Sequence, residues 1–199
     1  MTFFQDVGNL LVSVFFGLLI FFVMLRFILQ TVRADFHNPL SQMIVKLTSP
    51  LLRPFRRVIP GIGGIDMASI ILMVMLQFLE LALLNLIKGT ALAKIFLSGT
   101  AILTLLILAI IQLLTLATWI YIIAIVVMII VSWIQPGSHN PVLHLIHQIT
   151  YPLLRPIQRM IPDMGGLDFS PLVAIILLTI IQYAIKHLGG GLLRVVLTG

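Results

Sequence analysis

The dominant pattern along the chain is a series of long apolar runs, separated by short segments that hold most of the charges. A helix needs about 20 apolar residues to cross the ~30 Å hydrocarbon core of a bilayer. Four runs meet this requirement, at residues 7–29, 65–87, 109–134 and 169–185. Such uninterrupted runs favour helices, because each backbone polar group in lipid must be paired within its own segment. The pattern therefore predicts an all-α membrane protein with about four transmembrane helices.

The segment at residues 89–108 is the ambiguous part of this pattern. Residues 95–134 contain no charge, so two spans would just fit, but Gly99 is the only glycine there and no proline occurs. A tight hairpin without Gly or Pro is disfavoured. We expect residues 89–108 to form an interfacial or re-entrant connection into one long helix. A fifth span is the alternative, and it would invert the second half of the chain relative to the first.

The chain also contains an internal repeat at an offset of 102 residues. Residues 37–66 align with residues 139–168 without a gap, and 16 of these 30 positions are identical. Random agreement would give only about two identities. The chain therefore divides into two tandem units of helix, amphipathic loop and helix, at residues 1–88 and 109–199, with residues 89–108 between them.

Each unit has the same predicted helix caps. Asn38 and Asn140 each precede a proline, and an Asn N-cap followed by Pro favours the start of a helix. Asp66 and Asp168 stand where the second span of each unit begins. A carboxylate at this position can accept from free backbone N–H groups and offsets the positive end of the helix dipole.

A short amphipathic helix is predicted between these caps. Its apolar positions recur at helical spacing, which favours a helix lying in the membrane surface with its apolar side towards the lipid. The stretch Pro-Leu-Leu-Arg-Pro then occurs at residues 50–54 and again at 152–156. We expect its prolines to end the helix. At the end of the chain, the glycines at 189–191 suggest a flexible tail.

Composition agrees with a membrane protein, since 60% of the residues are hydrophobic and only 9% are charged. The formal charge is +6, and the basic residues lie mainly in the two repeat loops. The positive-inside rule then places these loops in the cytoplasm, facing anionic lipid headgroups. Nucleic-acid binding is not expected, because no basic stripe with interleaved aromatic residues occurs. The chain has no cysteine, which excludes disulfides and thiolate chemistry.

Two stretches carry a family resemblance: SPLLRPFRRVIPGIGGIDMASI at residues 49–70 and YPLLRPIQRMIPDMGGLDFSPL at residues 151–172. They resemble the YggT family of small bacterial membrane proteins, in its two-repeat proteobacterial form. The first copy departs from the pattern at Ser69, which stands where the second copy has Pro171. The resemblance implies a multi-pass protein of the bacterial inner membrane. It also implies links to osmotic tolerance and potassium supply, to cell division or nucleoid distribution and, in plastid relatives, to haem attachment.

The arginines of the repeat loops are the first candidate for function. They stand beside prolines at the membrane surface and would form a docking site for acidic lipids or for a partner protein. The alternative is that they only hold the loops in the cytoplasm. The candidate docking residues are Arg53, Arg56, Arg57, Arg155 and Arg159.

Polar residues within the spans are the second candidate. Glu80 lies well inside the second span, with Gln77 one turn before it, and Gln182 occupies the position of Glu80 in the second copy. Gln112 is the expected partner of Glu80. Intramembrane ionisable residues are costly and often functional. An ion or proton site is one interpretation, and a hydrogen-bonded contact between helices is the other.

Other chemistry finds little support in the sequence. His139, His144 and His147 invite a metal or haem hypothesis, but two of them fall on the polar face of the surface helix. No nucleophile–base pair, paired carboxylate, metal motif or phosphate-binding loop occurs. We therefore expect no enzyme activity, no catalytic residue, no cofactor and no metal.

Three functional hypotheses follow. The first is a non-enzymatic membrane assembly or organising factor that acts through its basic cytoplasmic loops. It would bind anionic headgroups and either a membrane-protein partner or further copies of itself. The second is a transport or osmotic-tolerance protein, in potassium or ion homeostasis, that uses Glu80. The third is a lipid-binding organiser of cell division or nucleoid position.

Overall fold

A computed structural model describes residues 3–88, 99–134, 140–160 and 168–198. Six α-helices make up almost all of this described part. We number them in chain order: α1 (Phe3–Thr31), α2 (Pro39–Val58), α3 (Met67–Lys88), α4 (Gly99–Ile134), α5 (Pro141–Met160) and α6 (Ser170–Thr198). Helices α1 to α3 form the first repeat, and helices α4 to α6 form the second.

Four of these helices are long and apolar enough to span a membrane: α1, α3, α4 and α6. The predicted all-α fold with four spans is thus confirmed. The third span begins ten residues before the predicted boundary, because α4 already starts at Gly99. The expected interfacial connection is therefore wrong for residues 99–108, and residues 89–98 lie outside the described part. Residues 99–134 contain no charge and no proline, so nothing in this stretch interrupts the helix.

The prediction of a flexible tail at residues 189–191 is also wrong, because α6 continues through these glycines to Thr198. A Cβ atom placed on Gly189 would lie 2.2 Å from Cδ1 of Ile111. The missing side chain at Gly189 thus lets α6 approach α4 closely, as small residues often do between membrane helices.

The surface helices α2 and α5 differ from prediction in length, since both run through the Pro-Leu-Leu-Arg-Pro stretch. A proline inside a helix leaves unpaired the carbonyl four residues earlier. For Pro50 and Pro54 these carbonyls belong to Lys46 and Pro50, and all three residues lie on the exposed side of α2. Water can therefore satisfy the freed carbonyls, so the expected helix break does not occur.

Only part of the apolar stripe on α2 packs against the protein. Ser41, Ile44, Thr48 and Leu52 are buried, whereas Met43 and Leu47 remain about half exposed. The buried positions contact α1 and α3, and they join the main core with Ile20, Val23 and Leu29 of α1, whose side chains are almost fully buried. The surface helix is thus fixed to the bundle and keeps a second apolar edge free.

Both surface helices lie at the same end of the bundle, because α2 contacts α5 directly. The first span of each repeat enters this end and the last span leaves it. A fifth span between the repeats would have placed α2 and α5 at opposite ends. The structure therefore excludes that alternative.

Candidate functional site

Two hydrogen bonds join the segment before α2 to helix α5, and so connect one repeat to the other. Nδ2 of Asn38 donates to the carbonyl oxygen of Pro141 at 2.7 Å. Oε1 of Gln148 accepts from the backbone N–H of Asp35 at 2.9 Å. The two repeat loops therefore form one continuous surface at this end of the molecule.

All five predicted docking arginines are exposed, but four of them differ from Arg56 in their pairing. Among the residues that the structure describes, none of these four forms an ion pair with a carboxylate. We call their surface the basic face, and it consists of Arg53, Arg57, Arg155 and Arg159. Its positive charge is therefore available to a molecule outside the bundle.

The proline frame of the basic face is clearest on α5. Arg155 and Arg159 line a shallow cavity of about 500 Å³ together with Pro152, Pro156 and Tyr151. The Arg155 guanidinium lies over the Tyr151 ring, 5.5 Å from the ring centroid. A guanidinium that stacks on an aromatic ring keeps its N–H groups free for carboxylate or phosphate oxygens.

Arg56, the fifth predicted docking residue, has a different environment. Its guanidinium forms an ion pair with the buried carboxylate of Asp66, and its Nη2 also donates to Oε1 of Gln30 at 3.2 Å. Gly63 and Gly64 make this pair possible. They take the positive φ angles of 60° and 83° that a tight turn requires, so the chain returns Asp66 to the end of α2.

Asp66 is the N-terminal cap of α3. Its Oδ2 accepts from the Ser69 hydroxyl at 2.6 Å, and its Oδ1 accepts from the Ser69 backbone N–H at 3.3 Å. Burial raises the pKa of the Asp66 carboxyl, but the hydrogen bonds from Ser69 and Arg56 outweigh burial. The nearby guanidinium charge acts in the same direction, so the pKa lies below its ordinary value. Asp66 is thus a charged anchor for Arg56.

The other three predicted caps also hold helix N-termini. Oδ1 of Asn38 accepts from Leu40 N–H at 3.0 Å, and Oδ1 of Asn140 accepts from Val142 N–H at 2.9 Å. The exposed Asp168 accepts from Ser170 N–H at 2.9 Å. Burial raises the pKa of Asp168, but bonds from Ser170 and Gln158 outweigh it and lower the pKa.

Arg26 is a structural residue whose role the sequence did not reveal. It is buried in α1, and its Nη1 donates to Oγ1 of Thr48 at 2.9 Å, to Oγ of Ser49 at 3.1 Å and to the Val45 carbonyl at 3.2 Å. These bonds attach α2 to α1. An arginine near the loop end of a span, with a Thr-Ser pair in the next helix, is the signal that could have found them.

Three of the four predicted intramembrane polar residues come together. Nε2 of Gln77 donates to Oε2 of Glu80 and to Oε1 of Gln112, both at 2.7 Å. We call these three residues the polar cluster. Gln77 is buried, Glu80 is half-buried and Gln112 is exposed on the surface of the bundle. Gln182 is buried elsewhere in α6, and its Nε2 has no partner within the described residues.

The histidines lie near the junction of the two repeats. His144 and His147 line a cavity of about 430 Å³ that Asp35 and His37 also border. Hydrogen bonds from the backbone N–H and then the ring of His37 lower the pKa of the partly exposed Asp35. No metal-binding group of three such side chains occurs in the described parts of the chain, and His139 lies outside them.

Comparison with known proteins agrees with this arrangement. The family model described as CCB3/YggT matches residues 6–87 and 107–189, one segment in each repeat. No solved structure matches the chain. An uncharacterized protein of Pseudomonas aeruginosa is 44% identical, over 83% of this chain and 81% of its own length. The Escherichia coli K12 protein named YggT is 38% identical over the same shares of each chain, 83% and 81%. The chain is therefore a multi-pass membrane protein that belongs to the CCB3/YggT family.

Proposed function

We propose that this protein is a non-enzymatic assembly or organising factor of the bacterial inner membrane, and that it binds an acidic membrane-protein partner through the basic face in the cytoplasm. The observation that carries this proposal is that the arginines differ in burial and pairing. Arg26 is buried and Arg56 is paired with the buried carboxylate of Asp66, whereas the four arginines of the basic face are exposed and form no ion pair within the described residues.

The chemistry of this surface suits a carboxylate-rich partner next to the bilayer. Arginine binds carboxylates through two parallel N–H bonds, and two helices in contact present arginines at several fixed positions. Anionic lipid headgroups would add attraction of about 1 kcal/mol per basic residue near the membrane surface. The half-exposed Met43 and Leu47 on α2 offer apolar contact with the lipid. The positive-inside rule puts such a surface in the cytoplasm.

Affinity purification after mild cross-linking in native membranes tests this proposal. The double variant Arg53→Gln and Arg155→Gln should recover much less of its partner than the wild type. The control variant Lys88→Gln and Lys186→Gln removes the same charge at the opposite end of the bundle, and it should keep the partner. Recovery of the wild-type protein alone, or equal losses in both variants, would contradict the proposal. Loss of septal or polar localisation, with no protein partner found, would favour the lipid-binding organiser.

Transport is a second candidate function, and the polar cluster is the observation in its favour. Hydrogen-bonded Gln77, Glu80 and Gln112 could receive an ion or a proton within the membrane. However, the buried Leu72, Met73 and Ile120 lie between this cluster and the basic face, which counts against an open path.

Liposomes test the transport candidate. If it is correct, purified protein in liposomes should pass potassium or protons, and Glu80→Gln should change that flux. Liposomes that stay tight with the wild-type protein would remove this candidate.

A further inference from the structure

The polar cluster lies at a depth where hydrocarbon surrounds the protein. Glu80 is about 20 Å along α3 from Met67 and about 12 Å from Lys88, at a rise of 1.5 Å per residue. The hydrocarbon core is about 30 Å thick. Polar atoms at this depth have no water to bind, so each unpaired atom is costly.

Two polar atoms of the cluster lack a hydrogen-bond partner within the described residues, on the outer surface of the bundle. Oε2 of Glu80 and Oε1 of Gln112 both accept from Gln77. Within the described residues, Oε1 of Glu80 and Nε2 of Gln112 have no hydrogen-bond partner. One chain therefore presents an unfilled acceptor on α3 beside an unfilled donor on α4.

We propose that the polar cluster is a self-association site, at which two copies of this chain pair through Glu80 and Gln112. In a two-fold arrangement, Nε2 of Gln112 in each copy would donate to Oε1 of Glu80 in the other. A two-fold interface repeats each contact twice, so both donors and both acceptors are filled. Acyl chains have no donor or acceptor for these groups, so lipid cannot replace the second copy.

The second repeat offers no equivalent surface, which limits the association to a closed pair. Gln182 stands at the position of Glu80 but is buried inside the bundle. The self-association site is also distant from the basic face, so the pairing does not depend on the acidic partner proposed there. Failure of one proposal therefore leaves the other intact.

Cysteine cross-linking tests the proposed pair directly, because the chain contains no native cysteine. Two differently tagged single variants, Glu80→Cys and Gln112→Cys, are co-expressed, and their membranes are oxidised. In a mixed pair one Gln112–Glu80 contact remains, and the two cysteines meet at the other. A disulfide-linked heterodimer is the expected result. The control pairs Glu80→Cys with Ile180→Cys, since Ile180 is also exposed but lies on α6, and it should not cross-link.

A second measurement uses other substitutions, so that the proposal can still be tested if the cysteine variants fold poorly. Association of tagged copies in lipid vesicles should weaken about ten-fold when Gln112 becomes Leu, since two interhelical hydrogen bonds are lost. Ile180→Leu is the control for substitution on the lipid-facing surface. A wild-type protein that stays monomeric, the absence of a specific heterodimer, or undiminished association of Gln112→Leu would overturn the proposal.

Discussion

The two repeats share one backbone plan but use different chemistry where the surface helix meets the spans. Thr48 and Thr150 occupy equivalent positions, and each donates to the carbonyl four residues earlier, at 2.7 and 2.9 Å. In the first repeat Thr48 also accepts from buried Arg26. In the second repeat the residue equivalent to Arg26 is Met128, whose sulfur lies 3.6 Å from the Thr150 hydroxyl.

The same contrast occurs at the second cap. Arg56 pairs with Asp66 in the first repeat, whereas Gln158 donates to Asp168 at 2.9 Å in the second. A cavity of about 730 Å³ borders both Met128 and Gln158. The first repeat thus uses two arginines to attach its surface helix, while the second repeat uses Met128 and Gln158 at these positions and stays more open.

Arg26→Met gives the first repeat the chemistry of the second, and it should have the largest effect. Three hydrogen bonds from a buried guanidinium are lost, so we expect a decrease of about 2–3 kcal/mol in the free energy of unfolding. Met128→Leu is the matched control and should cost less than about 1.5 kcal/mol, because it conserves apolar volume. Thermal unfolding in mild detergent measures both. Equal stability of the Arg26→Met variant and the wild type would show that these bonds do not hold α2.

The repeats also differ in how closely their two spans pack at a glycine, at the end away from the basic face. Gly8 lies 3.8 Å from Ile87 in the first repeat, measured from an added Cβ, whereas Gly189 is in much closer contact with Ile111. Gly189→Ala should therefore destabilise the protein by about 1–2 kcal/mol through overpacking. Gly190→Ala meets open space, so it should be neutral or slightly stabilising. Similar unfolding temperatures for these two variants would contradict close packing at Gly189.

Asp66→Asn should have a smaller effect that depends on pH. The amide retains part of the cap but loses the charge that pairs with Arg56, so we expect a loss of about 1 kcal/mol near neutral pH. Because folding lowers the pKa of Asp66, its contribution is fully present above the unfolded value of about 3.9. It is lost as the pH falls through the folded value.

The stability difference between the wild type and Asp66→Asn should therefore shrink as the pH falls below about 4. Chemical denaturation at several pH values measures it. Asp168→Asn provides the comparison with the second repeat, and it should cost less because no arginine pairs with Asp168 within the described residues. A difference that is independent of pH would show that the Asp66 charge is not used.

The spans, the repeat and the helix caps could be predicted because their signals are local. Apolar length identifies a span, and Asn38 followed by Pro39 identifies a helix start. The helix through Pro50 could not be predicted, since it depends on which side of α2 faces water. The contacts of Arg26 and Gly189 join helices that are distant in sequence, and no local pattern fixes which side of each helix meets the next. For the candidate sites, the residue types could be predicted from the sequence, but the pairing of each arginine could not.

We conclude that both repeats contribute to one continuous face on the same side of the membrane. The most direct test uses a short bifunctional maleimide on the cysteine-free chain with His37→Cys and His144→Cys, two residues that border one cavity. We expect efficient bridging within one chain, and none when His37→Cys is combined with Lys186→Cys at the opposite end. Absence of a bridge between positions 37 and 144, or labelling of these positions from opposite sides of the membrane, would contradict it.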